Sequence, residues 1–314
     1  MNLSKYINIK RIEFVLTYNC SGKCKHCSVA DQLNSDTTNH HVRIKEATET
    51  IEWLAKHYEV SSVMTFGGEP LLYPEVTCAI HSTARDCGIE ARQIITNGYF
   101  SKDLSKIQEV ANLISHSGVN NLILSVDAFH QETIPTEYVY EFAKALKQNK
   151  ITDFRLQPAW VVCKEHENIF NTKTKQILSA FTDLALPISK GNNITLSGNA
   201  AKYLAKYYES PELDLSKACG TAPYTQPLTD ITCLSIVPNG DVMVCAFTIG
   251  NIYEESIETI VSRYNPYDNE YMNALITGGG SALVELASSN GISVDNSHCY
   301  SVCDLCRKIV KATN

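Results

Sequence analysis

The chain has 314 residues, of which 44% are hydrophobic and 19% charged, so it can bury a large core and is not a disordered polymer. Its net charge is −7 and its lysines and arginines form no stripe, which argues against nucleic acid as a partner. No apolar run reaches the roughly 18 residues that cross a membrane, and the N-terminal segment lacks the apolar core of a secretory signal. We therefore expect a cytoplasmic protein without a membrane partner.

Short apolar runs alternate with amphipathic segments over the first two-thirds of the chain. The apolar runs predict strands at 12–16, 63–66, 94–96, 122–126, 154–160 and 194–196. The segments between them predict helices at 42–58, 74–87, 102–117, 136–149 and 172–185, with Ser101 as the N-cap of the third. Alternation of this kind is typical of parallel sheets with helical crossovers. We predict an α/β fold in which about six such units form a partial (β/α)6 barrel.

After about residue 210 the pattern changes. The segment ITCLSIVPNGDVMVC (231–245) predicts a β-hairpin, with Asn239–Gly240 as its two-residue turn. Cys233 and Cys245 lie near the two open ends of this hairpin and could face one another. Short helical stretches and a cysteine-dense tail follow. The sequence thus predicts a barrel at 1–210 and a small β-hairpin/helical module at 211–314.

The chain contains twelve cysteines, which is many for a reducing compartment, where clustered cysteines more often bind metal or react than form disulfides. Nine of them fall into two zones, one near the N-terminus and one in the C-terminal third. The nine are Cys20, Cys24, Cys27, Cys219, Cys233, Cys245, Cys299, Cys303 and Cys306.

The first zone has the spacing C-x3-C-x2-C, at Cys20, Cys24 and Cys27, directly after the first predicted strand. Three thiolates on one short loop can hold three irons of a four-iron cube, which takes four cysteines when fully ligated by protein. The fourth iron is then open to another ligand. The alternative is a zinc site in which His26 supplies the fourth ligand.

Other polar or flexible residues also directly follow strands, where the chemistry of such folds gathers. MTFGGEP follows the second strand, and its two glycines allow the backbone to approach a ligand closely. The residues concerned are Gly67, Gly68, Glu69 and Pro70 after strand two, Thr96 and Asn97 after strand three, and Ser125 and Asp127 at the end of strand four.

The cysteine spacing and MTFGGEP together resemble the radical SAM superfamily, over roughly residues 10–200. The resemblance implies that Cys20, Cys24 and Cys27 ligate a [4Fe–4S] cluster, whose open iron takes the amino and carboxylate groups of S-adenosylmethionine (SAM). The segment 67–70 would bind the SAM amino group. Ser125 and Asp127 would lie near the ribose and carboxylate of SAM or near the substrate, with Thr96 and Asn97 placed comparably. The family often has an aromatic residue on the adenine where this chain has His26.

The resemblance also implies a mechanism. The reduced cluster gives one electron to the sulfonium of SAM, which yields methionine and a 5′-deoxyadenosyl radical. The radical takes a hydrogen atom from the substrate, while the protein positions the cofactor and excludes competing reactions. Flavodoxin or ferredoxin is the implied electron donor.

The second cysteine zone resembles the SPASM/twitch modules that follow some radical SAM barrels, although it has six cysteines where a full SPASM pattern has seven. Six are too few for two fully cysteine-ligated cubes, so one auxiliary [4Fe–4S] cluster is simplest. Its ligands could be Cys245 with Cys299, Cys303 and Cys306. They could instead be Cys219, Cys233 and Cys245 with one tail cysteine. A structural zinc and unliganded cysteines are the alternatives.

The leading expectation is a radical SAM enzyme that modifies a ribosomally made peptide by epimerisation, crosslinking or oxidation, an expectation that rests on analogy of architecture. We expect no leader-peptide-binding domain before the first strand. A cysteine outside the auxiliary set, or Cys163 after strand five, could donate a hydrogen atom. The alternatives are a radical SAM enzyme acting on a small metabolite or a partner protein, and an iron–sulfur electron carrier without catalytic activity.

Overall fold

The computed structural model describes residues 3–33, 40–209, 213–216, 219–222, 225–293 and 299–313. Within these residues the chain first forms strands and helices in alternation and then a helical tail. The strands are β1 (Ile7–Thr17), β2 (Ser62–Gly67), β3 (Ala91–Thr96), β4 (Asn121–Ser125), β5 (Asp153–Gln157), β6 (Ala159–Trp160), β7 (Asn192–Asn193), β8 (Ile231–Ile236), β9 (Asp241–Val244) and β10 (Phe247–Asn251).

The helices carry their apolar residues on one side, which packs against the sheet. They are α1 (Ile44–His57), α2 (Pro74–Asp86), α3 (Leu104–His116), α4 (Thr136–Gln148), α5 (Ile169–Ser179), α6 (Asn199–Leu204), α7 (Ile257–Arg263), α8 (Glu270–Ser289) and α9 (Val302–Thr313). Helix α8 is interrupted at Gly279, whose φ of 65° and ψ of −153° are not helical.

Eight strands form one sheet in the order β10-β9-β8-β1-β2-β3-β4-β5. Strands β1 to β5 pair in parallel with their neighbours, and β8 joins β1 in parallel on the other side. Only β9 and β10 run antiparallel to their neighbours in this sheet. The mostly parallel sheet with helical crossovers confirms the predicted α/β fold, consistent with a partial barrel.

Alternate residues of the strands point to opposite faces of the sheet. On β1, Ile12, Phe14 and Leu16 are fully buried in the core that α1 and α7 complete. The carboxyl ends of the parallel strands then meet at one edge, so the loops that follow β1, β2, β3 and β4 are neighbours. The fold thereby gathers the polar residues that the sequence places after each strand.

Several local predictions differ from the structure, among them the predicted helix 172–185, since α5 spans Ile169–Ser179. The run 154–160 is divided by Pro158, which lacks the N–H that a continuous ladder requires, into β5 and the short β6. The predicted strand 194–196 is wrong, because β7 ends at Asn193 and the apolar side chains Ile194 and Leu196 instead pack in a small core beside Cys24. The N-cap of α3 is Asp103, whose carboxylate accepts from Ser105 N at 2.8 Å, and not Ser101.

The predicted hairpin is confirmed as β8 and β9, with Ser235 opposite Met243. Its turn differs from the predicted one, because Gly240 N donates to Val237 O at 2.8 Å and so places Pro238 and Asn239 at the centre. Gly240 then adopts φ 91°, which favours glycine, as in a three-residue hairpin loop.

The predicted domain boundary falls among residues 210–212, outside the described residues. The division into 1–210 and 211–314 stays a prediction. None of the described helices is both long enough and apolar enough to cross a membrane.

Candidate active site

The loop after β1 is held against the loop after β2 by backbone contacts that only glycine permits. Gly68 N donates to Thr17 O at 2.7 Å, and Glu69 N donates to Asn19 O at 2.8 Å. A Cβ atom on Gly68 would lie 2.1 Å from Asn19 O, and one on Gly67, at φ 138°, would lie 2.5 Å from Thr17 O. The two glycines therefore fix the start of the loop that carries Cys20.

Glu69 joins the loops after β2 and β3. Its buried carboxylate accepts from Thr96 Oγ1 at 2.6 Å, from Asn97 N at 2.8 Å and from Leu71 N at 2.9 Å. Burial raises the pKa of Glu69 to about 7, and these hydrogen bonds oppose the rise. Asn97 in turn directs Nδ2 at Cys20 Sγ, 3.6 Å away. The predicted residues after β2 and β3 thus form one hydrogen-bonded unit with the first cysteine.

The three cysteines of this loop lie close enough to influence one another. Burial raises the pKa of Cys20 to about 11, and the neighbouring charges of Glu69 and Cys27 add to the rise. Burial also raises the pKa of Cys24, as do the charges of Asp127, Cys20 and Cys27. Buried thiols with raised pKa values need a bound cation to become thiolates. Three such donors on one loop fit a [4Fe–4S] cluster with one open iron.

The far side of the cysteine loop is held by residues that the sequence analysis missed. Asn199 N donates to Cys27 O at 2.9 Å, and Asn199 Nδ2 donates to Cys24 O at 3.1 Å. Gly198, at φ 52°, passes so close that a Cβ would lie 2.6 Å from Ser28 O. Asn199 and Cys24 are 175 residues apart in the chain, so no local pattern announces the contact. In the sequence, the turn-forming residues Ser197, Gly198 and Asn199 indicate a tight turn but not its contact with the cysteine loop.

We expect Asn199→Ala to loosen this loop without unfolding the protein. The change removes one hydrogen bond from Cys24 O, which costs about 1 kcal/mol. Iron should be lost to a chelator several-fold faster than from the parent protein, at an unchanged initial iron content. The matched control is Asn192→Ala, on the exposed strand β7, which should lose iron at the parental rate. Equal rates in all three proteins would contradict the role given to Asn199.

Asp127 is buried after β4, and the protein itself occupies both of its carboxylate oxygens. Oδ1 accepts from Phe129 N at 2.9 Å and His130 N at 3.0 Å. Oδ2 accepts from His130 Nδ1 at 2.9 Å and from Ala159 N at 3.2 Å. Although burial alone raises the pKa of Asp127, His130 and these hydrogen bonds lower it to about 2. Asp127 thus orients His130 and joins the loops after β4 and β5.

His26 packs against these residues. Its ring centroid lies 4.9 Å from that of Phe129 and 4.9 Å from that of His130. Burial lowers the pKa of His26 to about 4, a fall that the charge of Asp127 opposes. His26 thus packs at a tilt against the aromatic ring of Phe129, within the cysteine loop.

Two of the predicted site residues, Ser125 and Cys163, make fewer contacts with the rest of the site. Ser125 ends β4 opposite Gln157 of β5, at the same edge of the sheet as the cysteine loop. Cys163 lies in the loop after β6, where its carbonyl accepts from Asn171 Nδ2 at 2.8 Å. Its described contacts run within its own loop and to α5, so its role as a hydrogen-atom donor stays a prediction.

The six C-terminal cysteines differ in which charged groups lie near them. Burial raises the pKa of Cys306 to about 12, and the nearby Cys219, Cys303 and Cys245 raise it further. The pKa of Cys219 is likewise raised, to about 11, by burial and then by Cys245 and Cys303. The charges of these four thiols therefore influence one another, although the thiols come from three separate parts of the chain.

The other two C-terminal cysteines have further partners outside this set. Cys233 is in register with Arg11 of β1, and burial followed by the charge of Glu13 raises its pKa to about 12. Cys299 Sγ accepts a hydrogen bond from Lys308 Nζ at 3.4 Å. Cys245 also interacts with Cys233 and follows β9, in keeping with the predicted approach of the hairpin's two ends.

The face of the sheet opposite the helices carries linked polar side chains. Arg11 bonds Glu13 Oε1 at 2.7 Å and Gln93 Oε1 at 2.9 Å. Gln93 Nε2 donates to Asn121 Oδ1 at 3.2 Å, and Arg155 donates to the same oxygen at 3.1 Å. This polar row crosses β1, β3, β4 and β5 and continues toward Cys233 on β8.

Comparison with known proteins agrees with this geometry. Residues 14–159 match the family described as the radical SAM superfamily. This stretch, which is just under half of the chain, is similar to the radical SAM superfamily. It runs from β1 through the cysteine loop to the loop after β5. That family implies a [4Fe–4S] cluster and SAM as cofactors. No curated protein matches the chain.

Two solved structures share the fold. One is a histidine-tagged form of anSMEcpe with bound AdoMet, with a TM-score of 0.52, 13% sequence identity, and coverage of 86% of this chain and 80% of that chain. The other, "Native anSMEcpe with bound AdoMet", has a TM-score of 0.52 and 12% identity, with coverage of 98% of this chain and 96% of that chain. At these identities the likeness shows the fold alone.

Proposed function

We propose that the chain is a radical SAM enzyme in which Cys20, Cys24 and Cys27 hold the catalytic [4Fe–4S] cluster and segment 67–70 holds SAM. The observation that carries this proposal is the Gly67–Gly68 contact, which joins the SAM-binding segment to the cysteine loop backbone to backbone. When bound, the cluster and SAM supply one-electron cleavage chemistry and a hydrogen-abstracting radical. Glu69 and Asn97 fix the edge of the site next to Cys20.

We further propose one auxiliary [4Fe–4S] cluster on Cys219, Cys245, Cys303 and Cys306. Four thiols whose charges influence one another are the number that a fully protein-ligated cube takes. This set differs from both sets considered from spacing alone, because it leaves out Cys233 and Cys299. Support comes from the fold, which brings the loop after β9 and the start of α9 to the segment that carries Cys219.

Replacing both Cys303 and Cys306 by Ala should lower the reconstituted iron content from about eight to about four per chain. The remaining iron should still respond to SAM, because the first cysteine loop is unaltered. The control Cys87→Ala removes an exposed thiol at the end of α2 and should keep the parental iron content. Iron analysis that finds parental iron in the double variant would contradict the assignment.

For the substrate, we propose a ribosomally made peptide that is epimerised, crosslinked or oxidised. This proposal is supported by analogy of architecture, since barrels that are followed by cysteine-rich modules of this kind often act on peptides. Flavodoxin or ferredoxin is proposed as the electron donor.

The test is anaerobic incubation of the reduced, reconstituted protein with SAM and with peptides encoded near its gene. The proposal predicts 5′-deoxyadenosine, methionine and a peptide whose mass or chirality has changed. In deuterated water, epimerisation should add one deuterium at the altered residue. Cleavage of SAM while each such peptide stays unmodified would move the assignment to a small metabolite or a partner protein. Absence of cleavage in the reconstituted protein would contradict radical SAM catalysis itself.

A further inference from the structure

A second set of metal ligands lies at the edge of the cysteine loop. Ligand atoms of Cys24, His26 and His130 all lie within 4.8 Å of one another. Thiolate and imidazole are the preferred ligands of Zn²⁺, and Zn–S and Zn–N bonds of ~2.3 and ~2.0 Å separate tetrahedral ligand atoms by about 3.5 Å. Small rotations of these three side chains would therefore close a zinc site.

The ring of His26 provides an independent indication of a ligand. Its Nδ1 is buried and has no hydrogen-bond partner among the described residues, although the ring is packed between Phe129 and His130. A buried polar atom without a partner costs about 1–3 kcal/mol. A bond from this nitrogen to a metal ion would remove that cost.

His130 is already oriented as a zinc ligand would be. Its Nδ1 bonds Asp127 Oδ2 at 2.9 Å, so Nε2 is the nitrogen left for a metal. Histidines that bind zinc commonly donate their other N–H to a carboxylate, which fixes the ring and raises its basicity. The carboxylate of Asp127 and the thiolate of Cys24 together would also balance the two positive charges of the ion.

We propose that the chain without its first cluster binds one Zn²⁺ ion on Cys24, His26 and His130, with Asp127 as the outer partner of His130. Three protein ligands leave the fourth position of the tetrahedron open. Since Cys24 is also a ligand of the cluster under the proposed function, zinc and the cluster exclude each other on this loop. The mutual exclusion of zinc and the cluster rests on the proposed function, whereas zinc binding itself does not.

The test uses Co²⁺ as an optical substitute for zinc, in iron-free full-length protein whose Cys303 and Cys306 are changed to Ser. This background removes two thiols of the other cysteine set. We expect one equivalent of Co²⁺ with tetrahedral ligand-field bands and a thiolate-to-cobalt charge-transfer band, which Zn²⁺ then displaces. His26→Ala and His130→Ala should each weaken this binding at least ten-fold. The control His166→Ala, in the loop after β6, should bind like the background protein. Parental cobalt binding in both ligand variants would overturn the proposal.

A second measurement does not depend on the folding of the histidine variants. X-ray absorption of the zinc-loaded background protein should show two imidazoles and one sulfur, and a shell made of sulfur alone would overturn the proposal. Cys20→Ser separates the two hypotheses, since it should abolish the first cluster yet keep the cobalt site. Cobalt binding in a protein that cannot cleave SAM would defeat only the proposed function. SAM cleavage together with cobalt spectra indifferent to both histidines would defeat only the zinc site.

Discussion

Cys24→Ala is expected to reduce SAM cleavage below detection and to lower the reconstituted iron content by about four per chain. Cys24 is the most deeply buried thiol of its loop, and its carbonyl is held by Asn199. Loss of its sulfur leaves two thiols, too few to hold a cube that needs three protein ligands and one open iron. The measurements are iron and sulfide analysis and detection of 5′-deoxyadenosine.

The control for this prediction is Cys78→Ala, which removes a half-buried thiol on α2, away from the cysteine loop. It should keep both the iron content and SAM cleavage of the parent protein. If Cys24→Ala also keeps them, the first cluster is not on this loop, and the assignment of all three cysteines would be wrong.

Gly68→Ala is the second change with a large expected effect. The added Cβ would lie 2.1 Å from Asn19 O and 2.7 Å from Asn19 C, and backbone atoms cannot move aside as a side chain can. Relief of this clash separates the loops after β1 and β2 and breaks their two hydrogen bonds, at a cost of about 3 kcal/mol or more. We expect at least a hundred-fold loss of SAM affinity, measured by equilibrium dialysis.

Gly88→Ala is the matched control. Gly88 has φ 75°, and a Cβ there would meet no atom within 4 Å, so the substitution brings backbone strain of about 1–2 kcal/mol without a clash. It should lower the stability slightly and leave SAM affinity unchanged. Similar losses of SAM affinity in both variants would show that general destabilisation, and not the contact between the loops, causes the effect of Gly68→Ala.

Much of the fold could be predicted because local signals agree with it. Apolar runs such as 122–126 become buried strands, and Pro74 begins α2 as the sequence indicates. The position of residues directly after strands also predicts that Glu69 and Asn97 meet, since parallel strands end at one edge. These inferences need only the period of the pattern and the direction of the strands.

The remaining features depend on contacts between distant parts of the chain. Spacing alone favoured sets containing Cys233 or Cys299, whereas the charges that raise the pKa of Cys306 come from Cys219, Cys303 and Cys245. The contact of Asn199 with Cys24 crosses 175 residues. The sequence pattern likewise does not encode that the Asp127 carboxylate accepts hydrogen bonds from His130 and Ala159, and so it does not reveal how Asp127 orients His130.

The most direct test of the central claim is electron paramagnetic resonance of the reduced variant in which Cys303 and Cys306 are both changed to Ala. This protein should contain only the cluster on Cys20, Cys24 and Cys27. We predict that SAM changes its signal, because SAM would bind the open iron next to segment 67–70. A reduced cluster whose spectrum is identical with and without saturating SAM would contradict the account and would favour an electron carrier.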